Sequence, residues 1–372
     1  MKVDKLHIRS RFKNLENVKV DFDEDHLMTV VVGRNGSGKS NVLEALVAIF
    51  RNLDLGEAPP FSYVLNYRLG EPHKPNQRSE RWLEVTIDAD PTRGTIAKQY
   101  QVQVRDLLAD DAPDDMFGEK PTGNAIAFSK VKRDKEGKAP YLPNYVFAYY
   151  SGPSDRLENH FKKHRTDFYR RLLKDELDLK GDIRPLFYAK PHHSQFVLLA
   201  FFLSEQDSAE KVFLREHLGI EGLDSIHFVM RQPGWAKKKG ELFWGARGVV
   251  RRFLDELIKH TLSPVKVTRQ EDTSLTGSNI RNEFFHLFLP DVNALREFAK
   301  DLSPDELFKM LESTLLSEII SEVSIRVKVS SSNEPLTFRE LSEGEQQLLT
   351  VLGLLKFTGG KDSLFLLDEP DT

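Results

Sequence analysis

Apolar and polar positions alternate with a period of two over Val3 to Ile8 and again over Val18 to Phe22, which predicts two half-buried strands. Leu27 to Val32 differs, because its last part is continuously apolar, as a strand covered on both faces must be. A glycine-rich turn follows, and Val42, Leu43, Leu46 and Ile49 then recur at helical spacing over Lys39 to Phe50. Strand, loop and helix are therefore expected in succession. Beyond Pro59 and Pro60, alternating segments at Leu83 to Ile87, Tyr100 to Val104, Ala125 to Val131 and Tyr145 to Tyr150 predict a largely antiparallel β layer. The acidic stretch Asp106 to Lys120 between them reads as an exposed loop. From Asp155 the pattern turns helical, with Leu157, Phe161, Phe168, Leu172 and Leu173 on one side. The middle of the chain is expected to be mostly helical and broken by Gly and Pro clusters. Strands return at Ile325 to Val329 and Leu336 to Phe338. They are followed by a helix from Glu345 to about Phe357 and an apolar strand over Ser363 to Leu367.

Composition narrows the class without naming it. A chain of 372 residues exceeds what one core usually serves, so a large domain with an insertion, or two domains, is expected. The absence of cysteine excludes a disulfide framework and a thiolate metal site. The N-terminus has no continuous apolar stretch of the signal-peptide kind, and the longest apolar run, Phe196 to Leu203, is too short to cross a bilayer. A cytoplasmic location with no membrane partner is the expectation. A net charge of -4 gives no global pull toward nucleic acid, so any DNA contact must be local.

Three motifs carry chemistry. Gly33, Arg34, Asn35, Gly36, Ser37, Gly38, Lys39 and Ser40 match the P-loop pattern and sit between the apolar strand and the helix, where that pattern must sit. Gly36 and Gly38 have no Cβ to obstruct backbone amides from phosphate oxygens, and the helix N-terminus adds its positive dipole end. Lys39 would reach the β- and γ-phosphates, and the Ser40 hydroxyl would ligate Mg²⁺. The second motif is the apolar strand that ends in Asp368 and Glu369, a Walker B arrangement. There Asp368 would hold the metal and Glu369 would act as general base on water. Alone it could be any strand ending in an acidic turn. The third is LSEGEQQLL, Leu341 to Leu349, in which Ser342 and Glu345 form a capping box and so predict a helix start with exposed amides. Alone it could be no more than a cap.

Taken together, the order of P-loop, long interval, capped helix and Asp-Glu strand resembles the ABC-type ATPases, and LSEGEQQ resembles their signature motif. The resemblance implies an α/β P-loop NTPase fold: an ABC-type head with a mixed sheet and an antiparallel β subdomain, plus a large mostly helical insertion. It implies ATP and Mg²⁺ as cofactors and a homo-oligomer in which Ser342 and Gly344 of one chain touch the γ-phosphate held by another. The expected division is 1–150 and 321–372 for the two parts of the head and 151–320 for the insertion.

About 300 residues separate P-loop from signature, far more than a nucleotide-binding domain needs. With GKSNVLEAL, including Asn41 and Glu44, and the opening RFKNLENVKVDF, this is similar to the SMC/Rad50/RecF-like branch rather than to transporters. A globular insertion and DEPDT look like stand-alone anti-phage ATPases of the Septu, retron-associated or overcoming-lysogenization-defect type. That branch implies a partner nuclease or local DNA contacts, in repair or in defence. Two departures stand out. Glu343 replaces a common signature glycine, which favours slow turnover or a nucleotide-sensing module as the alternative function. Thr372 also precedes the family's D-loop and switch histidine, so the head is expected to be incomplete.

Weaker signals have bland readings. Lys162, Lys163, Arg165, Arg170 and Arg171 could meet DNA phosphates, but a solvated helix face with ion pairs explains them as well. Lys237 to Lys239, Arg247, Arg251 and Arg252 form further basic candidates. His192 and His193 lack a metal-site spacing and read as structural. Arg156 could lie near a phosphate. The Mg²⁺-sensing glutamine of the family is not assignable among Gln99, Gln101, Gln103 and Gln195.

Overall fold

Alternation near the N-terminus is realised as antiparallel pairing. The computed structural model describes residues 1–22, 26, 28–73, 79–108, 123–134, 136–150, 152, 154–173, 184–236, 241–272, 279–358 and 361–368. Glu369, Lys237 to Lys239 and most of the acidic loop lie outside the described residues. The chain divides into two units: one of residues 1–162, 185–188 and 360–369, the other of 163–184, 189–359 and 370–372.

In the first unit β1 (Lys2–Ile8) pairs with β2 (Val18–Asp21), after which come α1 (Lys39–Leu55), β3 (Tyr63–Gly70), β4 (Trp82–Ala89), α2 (Ile96–Gln99), β5 (Tyr100–Asp106) and β6 (Asn124–Ile126). The six strands form one antiparallel sheet in the order β2-β1-β3-β4-β5-β6. Tyr63, Leu65, Tyr67 and Leu69 of β3 face the core together with Val85 and Ile87 of β4, which is the period-two pattern of a sheet with one covered face. Strand β3 was not foreseen, because the sequence reading began its β layer at Leu83.

A second sheet holds β7 (Tyr145–Tyr150), β8 (Leu186–Ala189) and β14 (Ser363–Asp368) in the order β14-β7-β8. Here the expectation needs correcting: Tyr145 to Tyr150 does not join the antiparallel layer but pairs parallel with β14, in register from Ser363↔Tyr145 to Asp368↔Tyr150. Phe147 and Phe365 stack across that pair at 4.7 Å. Strand β7 is buried along almost its whole length, and such strands belong to parallel sheets covered on both faces. Helix α1 packs on β7 and β14. The Asp362 carboxylate accepts from the Gly70 amide at 2.8 Å, so the start of β14 is tied to the end of β3. After β7 comes the short α3 (Arg156–Asn159).

A second correction concerns the apolar run before the P-loop. Residues 28–33 belong to no strand, and Met28, Val30 and Val32 are 76%, 70% and 85% exposed. The apolar pattern carries strand propensity, but these residues pair with no described strand.

The second unit contains α4 (Lys162–Leu173), which begins at the boundary, α5 (Pro191–Leu203), α6 (Ala209–Leu218), β9 (Ile220–Arg231), α7 (Gly248–Lys259), β10 (Val265–Asp272), β11 (Asn279–Leu289), α8 (Val292–Phe298), α9 (Pro304–Leu316), β12 (Ile320–Val329), β13 (Leu336–Thr337) and α10 (Glu343–Phe357). The predicted helix from Asp155 is in fact two, α3 and α4. Helices exceed strands between residues 151 and 320, yet three long strands that the pattern reading missed build an antiparallel sheet in the order β10-β11-β9-β12-β13. Helix α5 is apolar on every side and is buried from His193 to Phe202 against α9 and α10. At Gly353 of α10 an added Cβ would lie 2.3 Å from a methyl of Val197 in α5, so only glycine fits there. Among the described residues no helix is long and apolar enough to cross a membrane.

Candidate functional site

The P-loop pattern becomes a defined turn. Gly36 and Gly38 have φ of 81° and 99°, the left-handed region that glycine enters without strain. At Gly38 a side chain is excluded for a second reason: its Cβ would meet Leu15 at 2.7 Å and Asn14 at 3.2 Å. Gly38 also caps α1 without a side-chain hydrogen bond, and no acid stands in the first turn of α1. The amides there are left to whatever anion approaches, and the dipole favours one. The Lys39 ammonium donates to the Gly33 and Arg34 carbonyls at 2.7 and 3.2 Å, so it is held across the loop.

Two predicted residues far apart in the chain meet. The Ser40 hydroxyl donates to Asp368 Oδ1 at 2.9 Å, joining the first turn of α1 to the C-terminal end of β14. That end of a parallel sheet is where ligands of α/β folds bind. A hydroxyl and a carboxylate form a hard oxygen donor set of the kind Mg²⁺ takes, so the two residues fit such an ion. Glu369 follows directly and lies outside the described residues.

Around this pair runs a polar network that the sequence reading did not assemble. Asn14, in the β1–β2 connection, donates to the Gly36 carbonyl at 3.1 Å, and Asn41 donates to Asn14 at 2.6 Å. Arg156, at the start of α3, donates to Asn41 Oδ1 at 3.3 Å. One turn beyond Ser40, Glu44 is buried and faces two cationic side chains and a histidine. Lys13 pairs with it closely, His160 lies at 3.1 Å and the Arg156 Nε at 3.7 Å. Burial alone would raise the Glu44 pKa, but hydrogen bonds from His160 and Lys13 hold it at about 2. The signal was present in the sequence. Glu44 lies four residues after Ser40, hence on the same helix face, among otherwise apolar neighbours.

The signature-like segment lies in the second unit and forms the capped helix start that was expected. Ser342 Oγ accepts from the Glu345 amide at 3.3 Å, and Glu345 Oε2 accepts from the Ser342 amide at 2.8 Å. Gly344 has open space around its Cα. The cap occupies one amide, and Glu343 and Glu345 make this first turn acidic, unlike that of α1.

Several of the other candidates are engaged in contacts away from the P-loop. Gln99 donates to the Pro91 and Gly94 carbonyls, and Gln195 is buried in α5. His193 accepts from the Lys190 amide at Nδ1 (2.7 Å), so its proton sits on Nε2 and is donated to Glu312 at 2.7 Å. Arg184 pairs with the same carboxylate at 2.7 Å. With both ring nitrogens of His193 engaged and a guanidinium on Glu312, the His192–His193–Glu312 group suits an ion-pair network rather than a metal. Burial next to His193 lowers the His192 pKa to about 3, so that ring is neutral. On α4, Arg170 pairs with Asp167 at 3.0 Å. On α7, Arg251 pairs with Asp255 at 2.7 Å.

Residues 1–178 match the family model described as "AAA ATPase domain". Residues 271–372 match the one described as "AAA domain, putative AbiEii toxin, Type IV TA system". No curated protein and no solved structure matches the chain. One matched region holds the P-loop and the other holds the Asp368 strand that meets it, so both parts of the site lie in regions similar to AAA-type ATPase domains, and the fold is that of an α/β P-loop NTPase.

Proposed function

We propose that the protein binds Mg-ATP and hydrolyses it, and that two copies close on the nucleotide to control DNA engagement or a partner nuclease, in repair or in anti-phage defence. One observation carries this reading: Ser40 and Asp368, 328 residues apart, are hydrogen bonded beside an uncapped helix start. In the proposal the amides of Gly33 to Ser40 and Lys39 cradle the phosphates, and Asn41 helps hold the loop. Ser40 and Asp368 hold Mg²⁺, which neutralises charge developing on the phosphates. Glu369 takes the proton from the attacking water. Ser342 and Gly344 of the second chain complete the γ-phosphate site. Lys39→Ala should abolish binding of a fluorescent ATP analogue. Glu369→Gln should bind ATP, fail to release phosphate and double its mass by light scattering. A monomer at every ATP concentration would sink the two-copy part, and undiminished binding in Lys39→Ala would sink the site.

A second reading, a nucleotide-sensing module with negligible turnover, is favoured by the acidic first turn of α10, since Glu343 and Glu345 repel a phosphate. Phosphate release that Glu369→Gln abolishes would exclude it.

A further inference from the structure

We infer that His227 and His286 form a proton-sensitive latch, which ties the edge strand β10 to β9 while both rings are neutral and releases it when either ring takes a proton. Helices cover one face of the five-stranded sheet in the second unit, and Ile226, Phe228, Leu287 and Ile325 are buried there. The other face meets solvent, with Phe288 38% and Val265 48% exposed. His286 is opposite Val265 of β10 and Val229 of β9, and His227 is opposite Phe288, so both histidines lie on this open face. Their rings stack at 5.1 Å, and Nε2 of His227 lies 3.0 Å from Nδ1 of His286. Nη2 of Arg269, on β10, lies 3.2 Å from Nε2 of His286.

One placement of protons fits these contacts. A guanidinium only donates, so His286 accepts at Nε2 and carries its single proton on Nδ1. That proton is donated to Nε2 of His227, whose own proton therefore sits on Nδ1. A chain from Arg269 through His286 to His227 thus joins β10, β11 and β9. An added proton finds no acceptor within it: on His286 Nε2 it meets the guanidinium, and on His227 Nε2 it meets the His286 N–H. Protonating either ring breaks a link and places a second positive charge near Arg269. The charged groups on this face of the neighbouring strands are Arg269 on β10, Arg231 on β9, and Glu322 and Arg326 on β12. Of these only Glu322 favours a charged ring, and Arg339 engages it at 3.2 Å, while Arg326 lies 4.0 Å from Asp224. Burial, His227 and Arg269 accordingly lower the His286 pKa against the pull of Glu322. A histidine held neutral by the fold adds stability above its ordinary value of 6.5 and loses it as pH falls below that value. The loss falls on the strand least able to bear it, since β10 pairs with β11 alone and is exposed at Lys266, Thr268, Arg269 and Gln270.

The test is hydrogen exchange of the full chain, read by mass spectrometry and corrected for intrinsic rates, at about pH 7.5 and about pH 5.5, either side of the ordinary histidine value. At the lower pH residues 265–272 should exchange about fivefold faster, the worth of one hydrogen bond, while residues 320–329 of β12 should change by less than about twofold. Arg269→Gln keeps a donor for His286 without the charge, and should move the change to higher pH. His286→Phe keeps a ring that takes no proton, and should make the exchange of residues 265–272 the same at both pH values. Magnetic resonance of isotope-labelled histidines in the wild type should show both rings protonated at Nδ1 alone at about pH 7.5. A proton on Nε2 of either ring, unchanged exchange at the lower pH, or a pH response that survives in His286→Phe would each overturn the inference.

Discussion

Glu44 and Glu312 are buried carboxylates that each face an arginine and a histidine, yet only one arrangement can rearrange. At Glu312 the arginine is 6% exposed and 2.7 Å away, and the histidine is fixed from both sides by Lys190 and the carboxylate. At Glu44 the arginine is 39% exposed at 3.7 Å, and Lys13 and His160 share the load. Identical chemistry thus serves as a fixed joint in one unit and as a loosely held one beside the P-loop in the other. Solvent access and the number of partners make the difference, not residue type. Burial pushes the Glu312 pKa up, but the hydrogen bond from His193 and the Arg184 guanidinium hold it well below the usual carboxylate range.

Breaking the fixed joint should give the largest effect. Glu312→Ala leaves Arg184 buried without its carboxylate and should cost about 3–5 kcal/mol by denaturant unfolding. Arg184→Met, which leaves Glu312 to His193 alone, should cost about 2–3 kcal/mol by the same reasoning. A loss below about 1 kcal/mol for either would erase the distinction from Glu44.

The second effect depends on pH. Glu44 has a folded pKa of about 2 against an ordinary value of 4.5. A carboxylate with a lowered folded pKa adds stability above its unfolded pKa and loses it as pH falls through the folded one. The stability difference between wild type and Glu44→Gln should therefore shrink as pH is lowered from about 4.5 to about 2, read as urea midpoints at each pH. A difference that stays constant across that window would remove Glu44 as its source. The smallest effect belongs to Arg156→Ala, which should change stability by less than about 0.5 kcal/mol without nucleotide.

What was legible in the sequence follows how local the cause is. The turn at Gly36 and Gly38, helix α1 and the Ser342–Glu345 box depend on a few neighbouring residues, and each forms where the pattern puts it. The direction of β7 does not, because YVFAYY pairs as well with an antiparallel neighbour, and only β14, more than 200 residues later, fixes it as parallel. Strands β9, β10 and β11 were missed for a similar reason: charged residues interrupt their alternation, and they are strands by virtue of long-range pairing. At the site, Lys39, Ser40 and Asp368 could be named from motifs. Lys13, Asn14 and His160 could not, since two segments distant in the chain, the β1–β2 connection and the end of α3, bring them to α1.

Gly353 is a point where α10 meets α5 with backbone alone on its side. Helix α10 touches α5 there with no room for one carbon atom, which makes the contact a fulcrum. Ser342 and its acidic turn lie eleven residues away, roughly 16 Å along the same rigid rod. An alanine at 353 would therefore force α5 and α10 to shift against each other, on the same helix that starts at the acidic turn.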